Sequence, residues 1–365
     1  AELEREDRGR PLIAGALPRP SKQRARAASK ERAVGFVAPA GLRVVMFGGK
    51  GGVGKTTCAA AAAISIAERH PDRRVLLLST DPAHSLGDAL ELEVTDAPLA
   101  VPGVRGQLEA RELDASAELA RRREQYARAV DRLFDALRGG SRLEATYDRA
   151  IVHDLIELAP PGIDEIVATV ALLDAFDPGA LPAGLVGASA SPPYDHVIVD
   201  TAPWGHTERW LQLPAHAREW VRSLLAVLLE YRRVIGLGDL AEDLVALSRG
   251  LGRLVESWRD PGRTAFVPVT RAAALPRLET MRMRRSLQQL GIDVPSIIVD
   301  AVHDDVRLCD RCDTAREIEL REIAALRAEL GPSAPKLVRA PLRAAPPRGV
   351  AALRGWASTW EVMWS

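Results

Sequence analysis

The run Gly48-Gly49-Lys50-Gly51-Gly52-Val53-Gly54-Lys55-Thr56-Thr57 restricts the fold more than any other part of the chain. A glycine loop of this form holds phosphate only when it joins a strand to a helix. The glycines then let backbone N–H groups converge on phosphate oxygens, and the helix N-terminus adds its partial positive charge. Both flanks comply: Leu42 to Phe47 is an apolar, β-branched-rich run of strand length, and Thr57 to His70 is an Ala-rich stretch of helix formers with no breaker. Such a loop can also be a plain turn, but the two lysines and two threonines inside it favour phosphate. The expected architecture is α/β, a doubly wound, mostly parallel sheet. The expected phosphate set is Gly49, Lys50, Gly51, Gly52, Gly54, Lys55, Thr56 and Thr57, with Lys55 bridging the β- and γ-phosphates and the Thr56 hydroxyl on Mg²⁺.

Composition sharpens the case for the lysines. Only five stand against forty-four arginines, and two of the five lie in this loop, where a compact ammonium fits and a planar guanidinium does not. With 365 residues, 47% of them hydrophobic, the chain can bury a large core, and its zero net charge argues against nucleic acid as a partner. The densest apolar run, Leu224 to Leu229, stops at Glu230, far short of a membrane span. Cys58, Cys309 and Cys312 do not make a disulfide framework, which together with an ATP-type site points to the reducing cytoplasm. Residues 1–40, rich in Arg, Glu, Ala and Pro, read as a disordered arm, and 41–360 as one nucleotide-binding unit without internal repeats.

Two further segments end in carboxylates where open α/β sheets place their chemistry. Arg74 to Thr80 reads as a buried strand leading into Asp81-Pro82-Ala83-His84-Ser85-Leu86-Gly87-Asp88, and His196 to Asp200 as another leading into Thr201-Ala202-Pro203. Asp81 can orient an attacking water, and Asp200 can hold Mg²⁺ through its water shell. A lone loop aspartate is more often a cap or turn former, so the weight comes from their joint occurrence with the glycine loop.

The segments 48–57, 79–88, 200–203 and 205–207 resemble the P-loop, switch I and switch II of the ArsA-type ATPases, a SIMIBI-class family with a deviant Walker A lysine, and the likeness extends over about 42–360. That family includes the arsenite-pump ATPase and the ATPase that targets tail-anchored membrane proteins. The resemblance implies catalytic roles for Asp81, Lys50 and Lys55, with Lys50 reaching across a homodimer to the partner's nucleotide. It also implies Mg²⁺ on Thr56 and Asp200, and switch loops that move with the γ-phosphate. An inserted helical cap is expected from about 105–190 and 210–258, where Leu108 to Leu137 and Trp210 to Trp258 carry apolar residues at helical spacing.

Cys309-Asp310-Arg311-Cys312 supplies two of the four ligands that a structural zinc wants. Two copies across a twofold axis would supply all four, as the targeting-type members of the family do; a redox dithiol and an idle pair are the other readings. The arsenite-pump members use a cysteine triad, and residues 59–308 contain no cysteine. In the targeting ATPases the helical layer shields a client's transmembrane helix, and here the same apolar faces could instead lie on the sheet or on the partner subunit. The remaining partner class is a membrane pump or receptor. Ile297-Ile298-Val299-Asp300 ends where the family carries an adenine-reading asparagine; an ionised Asp accepts but cannot donate, which opens GTP as an alternative to ATP. The chain contains no asparagine at all, so Asp300 can also reflect compositional drift. Pro341 resembles the loop that covers the base.

Overall fold

The glycine loop leaves the central strand of a nine-stranded sheet. The computed structural model describes residues 41–83, 85–114, 163–176, 193–230, 238–304, 309–332 and 334–364. Among these the strands are β1 (Val44–Gly48), β2 (Arg74–Ser79), β3 (Leu99–Ala100), β4 (Gln107–Glu112), β5 (His196–Asp200), β6 (Thr264–Arg271), β7 (Ser296–Val302), β8 (Lys336–Pro341) and β9 (Glu361–Trp364). Their order is β3-β4-β2-β5-β1-β6-β7-β8-β9, and all pairings are parallel except those of the two edge strands.

Strand β1 shows why helices cover both faces. Val45 and Phe47 enter one apolar cluster, Val44 and Met46 the other, and β2 and β5 alternate in the same way. The first cluster is closed by α1 (Lys55–Arg69) and α8 (Gly349–Ala357). In α1 the run Ala59 to Ala63 is fully buried, and its small side chains let the helix that starts at the glycine loop lie close to the sheet. The second cluster is closed by α3 (Ile163–Phe176), α4 (Trp204–Glu230), α5 (Gly238–Arg259) and α6 (Ala274–Leu290). Helix α7 (Asp310–Leu330) covers the outer strands, and the short α2 (Leu86–Leu90) follows β2. The sheet is therefore doubly wound, as the sequence predicts.

Register lines up the functional ends. Phe47 lies opposite Asp200 on β5, and Asp200 lies opposite Ser79 on β2, so the loops after β1, β2 and β5 leave the sheet at one level.

Two boundaries differ from expectation. Residues 107–112, at the start of the expected helical cap, form strand β4: Leu108, Ala110 and Glu112 are buried while the residues between them are not, a period of two that the sheet edge rewards. Strand β7 does not stop at Asp300 but runs on to Val302 through an irregularity in its pairing with β8. The arm 1–40 and the cap residues 115–162 and 177–192 lie outside the described residues. The helices that are described, α4 and α5, turn Trp210 and Trp258 inward, edge to face with ring centroids 5.6 Å apart and both buried.

Candidate functional site

A cavity of about 570 Å³ opens at the C-terminal ends of the strands, within the range of small-ligand sites. Gly51, Gly52, Gly54, Lys55, Thr56, Thr57 and Asp81 line it together with Arg271, Asp300 and Pro341. The glycine loop and the two residues expected to meet a base thus share one cavity. Gly54 has φ 92°, and a Cβ there would lie 2.4 Å from Asp300 Oδ2, so both conformation and space demand glycine. Gly49 sits against β6, where a Cβ would come 2.3 Å from the Val269 carbonyl oxygen.

Lys55 is almost wholly buried, and its Nζ lies 3.7 Å from Asp81 Oδ2. The other Asp81 oxygen accepts the Ala83 N–H at 3.1 Å, an Asx turn that ties the carboxylate to its own loop. The Thr56 hydroxyl is 3.0 Å from Ser85 Oγ. Asp200 is fully buried; Oδ2 accepts from Ser79 at 3.3 Å, whereas Oδ1 has no hydrogen-bond partner among the described residues. Burial pushes its carboxyl up to about pKa 7, against the opposing pull of the Thr56 hydroxyl and Lys55. An orphaned, buried carboxylate oxygen beside a P-loop hydroxyl is a donor set suited to a hard cation, and these residues fit Mg²⁺.

The far wall has its own logic. Ala301 takes φ 54°, and this left-handed residue in a strand coincides with the pairing irregularity that turns Asp300 toward Gly54. Arg271, opposite Asp300 on β6, sits 3.6 Å from its Oδ2. Burial raises the Asp300 pKa to about 6 despite that guanidinium. Pro341 is fixed by its carbonyl, which accepts from Trp356 Nε1 at 3.0 Å.

Lys50 stands apart from this set. Its Nζ donates to Glu279 Oε1 of the same chain at 3.1 Å, and both side chains are about one-third exposed, at 38% and 33%. Cys309 caps α7: its Sγ accepts the Cys312 N–H at 3.4 Å and lies 3.3 Å from Cys312 Sγ. The hydrogen bonds from Cys312 lower the Cys309 pKa and raise that of its partner. Among the described residues no group of three or more metal-ligating side chains exists, so none of those residues completes a site around one copy of the pair. Cys58 is a buried core thiol, its pKa raised by that burial.

Sequence reasoning gave no site role to Glu279, Arg271 or Glu112. Glu112, at the buried end of β4, accepts the Leu86 N–H at 3.0 Å and so holds the loop after Asp81. Its alternation with Leu108 and Ala110 was the available signal.

Residues 42–359 match the family described as anion-transporting ATPase, of ArsA type. An ATPase ASNA1 homolog of Entamoeba histolytica is 29% identical, over 88% of this chain and 94% of that protein. The ATPase GET3B of Arabidopsis thaliana is 30% identical over 85% and 76%, and the ATPase GET3 of Kluyveromyces lactis 32% identical over 74% and 76%. No described helix is long and apolar enough to cross a membrane.

Proposed function

The chain belongs to the anion-transporting ATPase family and is an ATPase, and from that premise we propose that it works as a homodimeric switch that carries or targets apolar segments of membrane proteins in the cytoplasm. The observation that carries the switch is the Asp81 carboxylate, held between Lys55 at 3.7 Å and its own loop. Phosphate oxygens compete for Lys55 and so release Asp81, which is then free to orient the attacking water. The same exchange makes switch I report the γ-phosphate. Bound Mg²⁺ would neutralise charge on the phosphates, with Thr56 and Asp200 holding it.

Lys50, on the exposed side of the loop, is proposed to leave Glu279 and act on the partner's nucleotide. Cys309 and Cys312 are proposed to meet their counterparts around one zinc, four thiolates being the usual structural set. Asp300 and Pro341 are proposed to bracket the base, with Asp300 accepting from its exocyclic amine. Residues 41–360 then form one ATPase domain whose helical layer includes α3, α4 and α5, and 1–40 an arm.

The test is steady-state hydrolysis of ATP and GTP by wild type and Asp81→Asn, with and without antimonite, with bound zinc and mass measured on the same sample. A zinc-bearing dimer whose ATP turnover needs Asp81 and ignores antimonite, and which co-purifies with single-span membrane proteins, is the expected result. Strong stimulation by antimonite would overturn the targeting reading in favour of a pump subunit.

A further inference from the structure

Ser85 occupies the N-cap position of α2 yet does not cap it. Its backbone is helical, at φ −95° and ψ −6°, and its side chain makes no bond to the first turn. A serine there normally spends its hydroxyl on a free N–H of the next turn. Here the Ser85 hydroxyl lies in the cavity, hydrogen-bonded to Thr56 Oγ1 at 3.0 Å, while Glu112 Oε1 takes the neighbouring Leu86 N–H at 3.0 Å and holds the loop.

That separation has chemical content. Mg²⁺ demands octahedral oxygen ligands at about 2.0–2.1 Å. Two adjacent ligands of such an ion therefore lie about 3 Å apart, the spacing of these two hydroxyls. The Thr56 hydroxyl is also the one that acts on the buried Asp200 carboxylate.

The geometry points to Ser85 as a further Mg²⁺ ligand, a hydroxyl from switch I set beside that of Thr56, with Glu112 holding the loop that presents it. This rests on the assignment of the cavity as the Mg²⁺-nucleotide site. Switch I is then tied to the metal directly, as well as to the γ-phosphate through Asp81.

The test uses the full chain with Mn²⁺ as the probe, in the presence of ADP and of a non-hydrolysable ATP analogue. Electron paramagnetic resonance gives the Mn²⁺ affinity, and line broadening in ¹⁷O-enriched water counts the waters on the ion. Ser85→Ala is expected to weaken Mn²⁺ about tenfold and to add one coordinated water. Ser85→Thr restores both values, and nucleotide affinity in EDTA is unchanged in each variant. Glu112→Ala, which frees the loop at the Leu86 N–H, is expected to weaken Mn²⁺ in the same direction as Ser85→Ala, while Glu112→Gln keeps an acceptor and behaves as wild type. An unchanged affinity and water count in Ser85→Ala overturns the inference. Thr56→Ala separates the two levels: if it too leaves Mn²⁺ untouched, the assignment of the site has failed, and not the role of Ser85 alone.

Discussion

Replacing Asp200 by Asn should make the nucleotide-free protein more stable at high pH, by an amount that grows with pH. The unfolded chain gives up this proton near 3.8, whereas the folded one holds it until about 7, because burial penalises the carboxylate more than Thr56 and Lys55 favour it. Between those two values the native state binds more protons than the unfolded state, so stability falls as pH rises and levels off above about 7. The slope is about 1.36 kcal/mol per pH unit, so wild type loses roughly 3 kcal/mol through this group between pH 5 and pH 8. Asn does not titrate. Its amide adds a buried donor where Oδ1 has no partner, a pH-independent cost of about 1–3 kcal/mol that shifts the whole curve without changing its shape. Other titrating groups, Asp300 among them, are common to both proteins and cancel in the difference. The assay is urea unfolding of both proteins in EDTA at pH 5, 6.5 and 8. With an m-value of about 3 kcal/mol/M, the gap in midpoint should widen by roughly 1 M across that range. A gap that stays constant from pH 5 to pH 8 would mean that Asp200 ionises normally in the free protein, and the argument that an orphaned carboxylate waits for a cation would lose its basis.

Three other outcomes are expected. Gly54→Ala places a Cβ 2.4 Å from Asp300 Oδ2 at a φ of 92°, which should cost about 1–2 kcal/mol in thermal or urea unfolding; Asp300→Ala in the same chain should recover the clash but not the backbone strain. Glu279→Gln removes a pair that is about one-third exposed, so stability should move by less than about 1 kcal/mol. Turnover should rise with Lys50 released for the partner's nucleotide, and a fall in turnover would count against that exchange. Trp258→Ala should destabilise by about 3–5 kcal/mol, because the ring is buried against Trp210 and the sheet; a loss under 1 kcal/mol would mean that the ring is available for a client.

What the sequence made legible were the features set by neighbours along the chain. The glycine loop, its helix and the carboxylates that end β2 and β5 are local patterns, and parallel pairing then brings their ends together without further information. Strand β4 was misread because the whole stretch from Leu108 to Leu137 was given one helical spacing, and only the burial of Ala110 and Glu112 shows which period residues 107–112 obey. The aim of Asp300 depends on Ala301 in a left-handed conformation, and alanine carries no signal for it. Lys50 and Glu279 meet across 229 positions, a distance at which no periodicity speaks.

Ser85 shows why such a limit is physical and not a matter of better pattern matching. Its neighbour Leu86 gives its N–H to Glu112, and Glu112 belongs to a strand that the apolar pattern assigned to a helical layer. The loop that carries Ser85 is fixed only when β4 joins the sheet beside β2 and brings a carboxylate to the Leu86 N–H. The site is therefore assembled in two stages: motifs deliver Lys55, Thr56, Asp81 and Asp200 to one end of the sheet, and β4 then fixes the loop after Asp81 through Glu112.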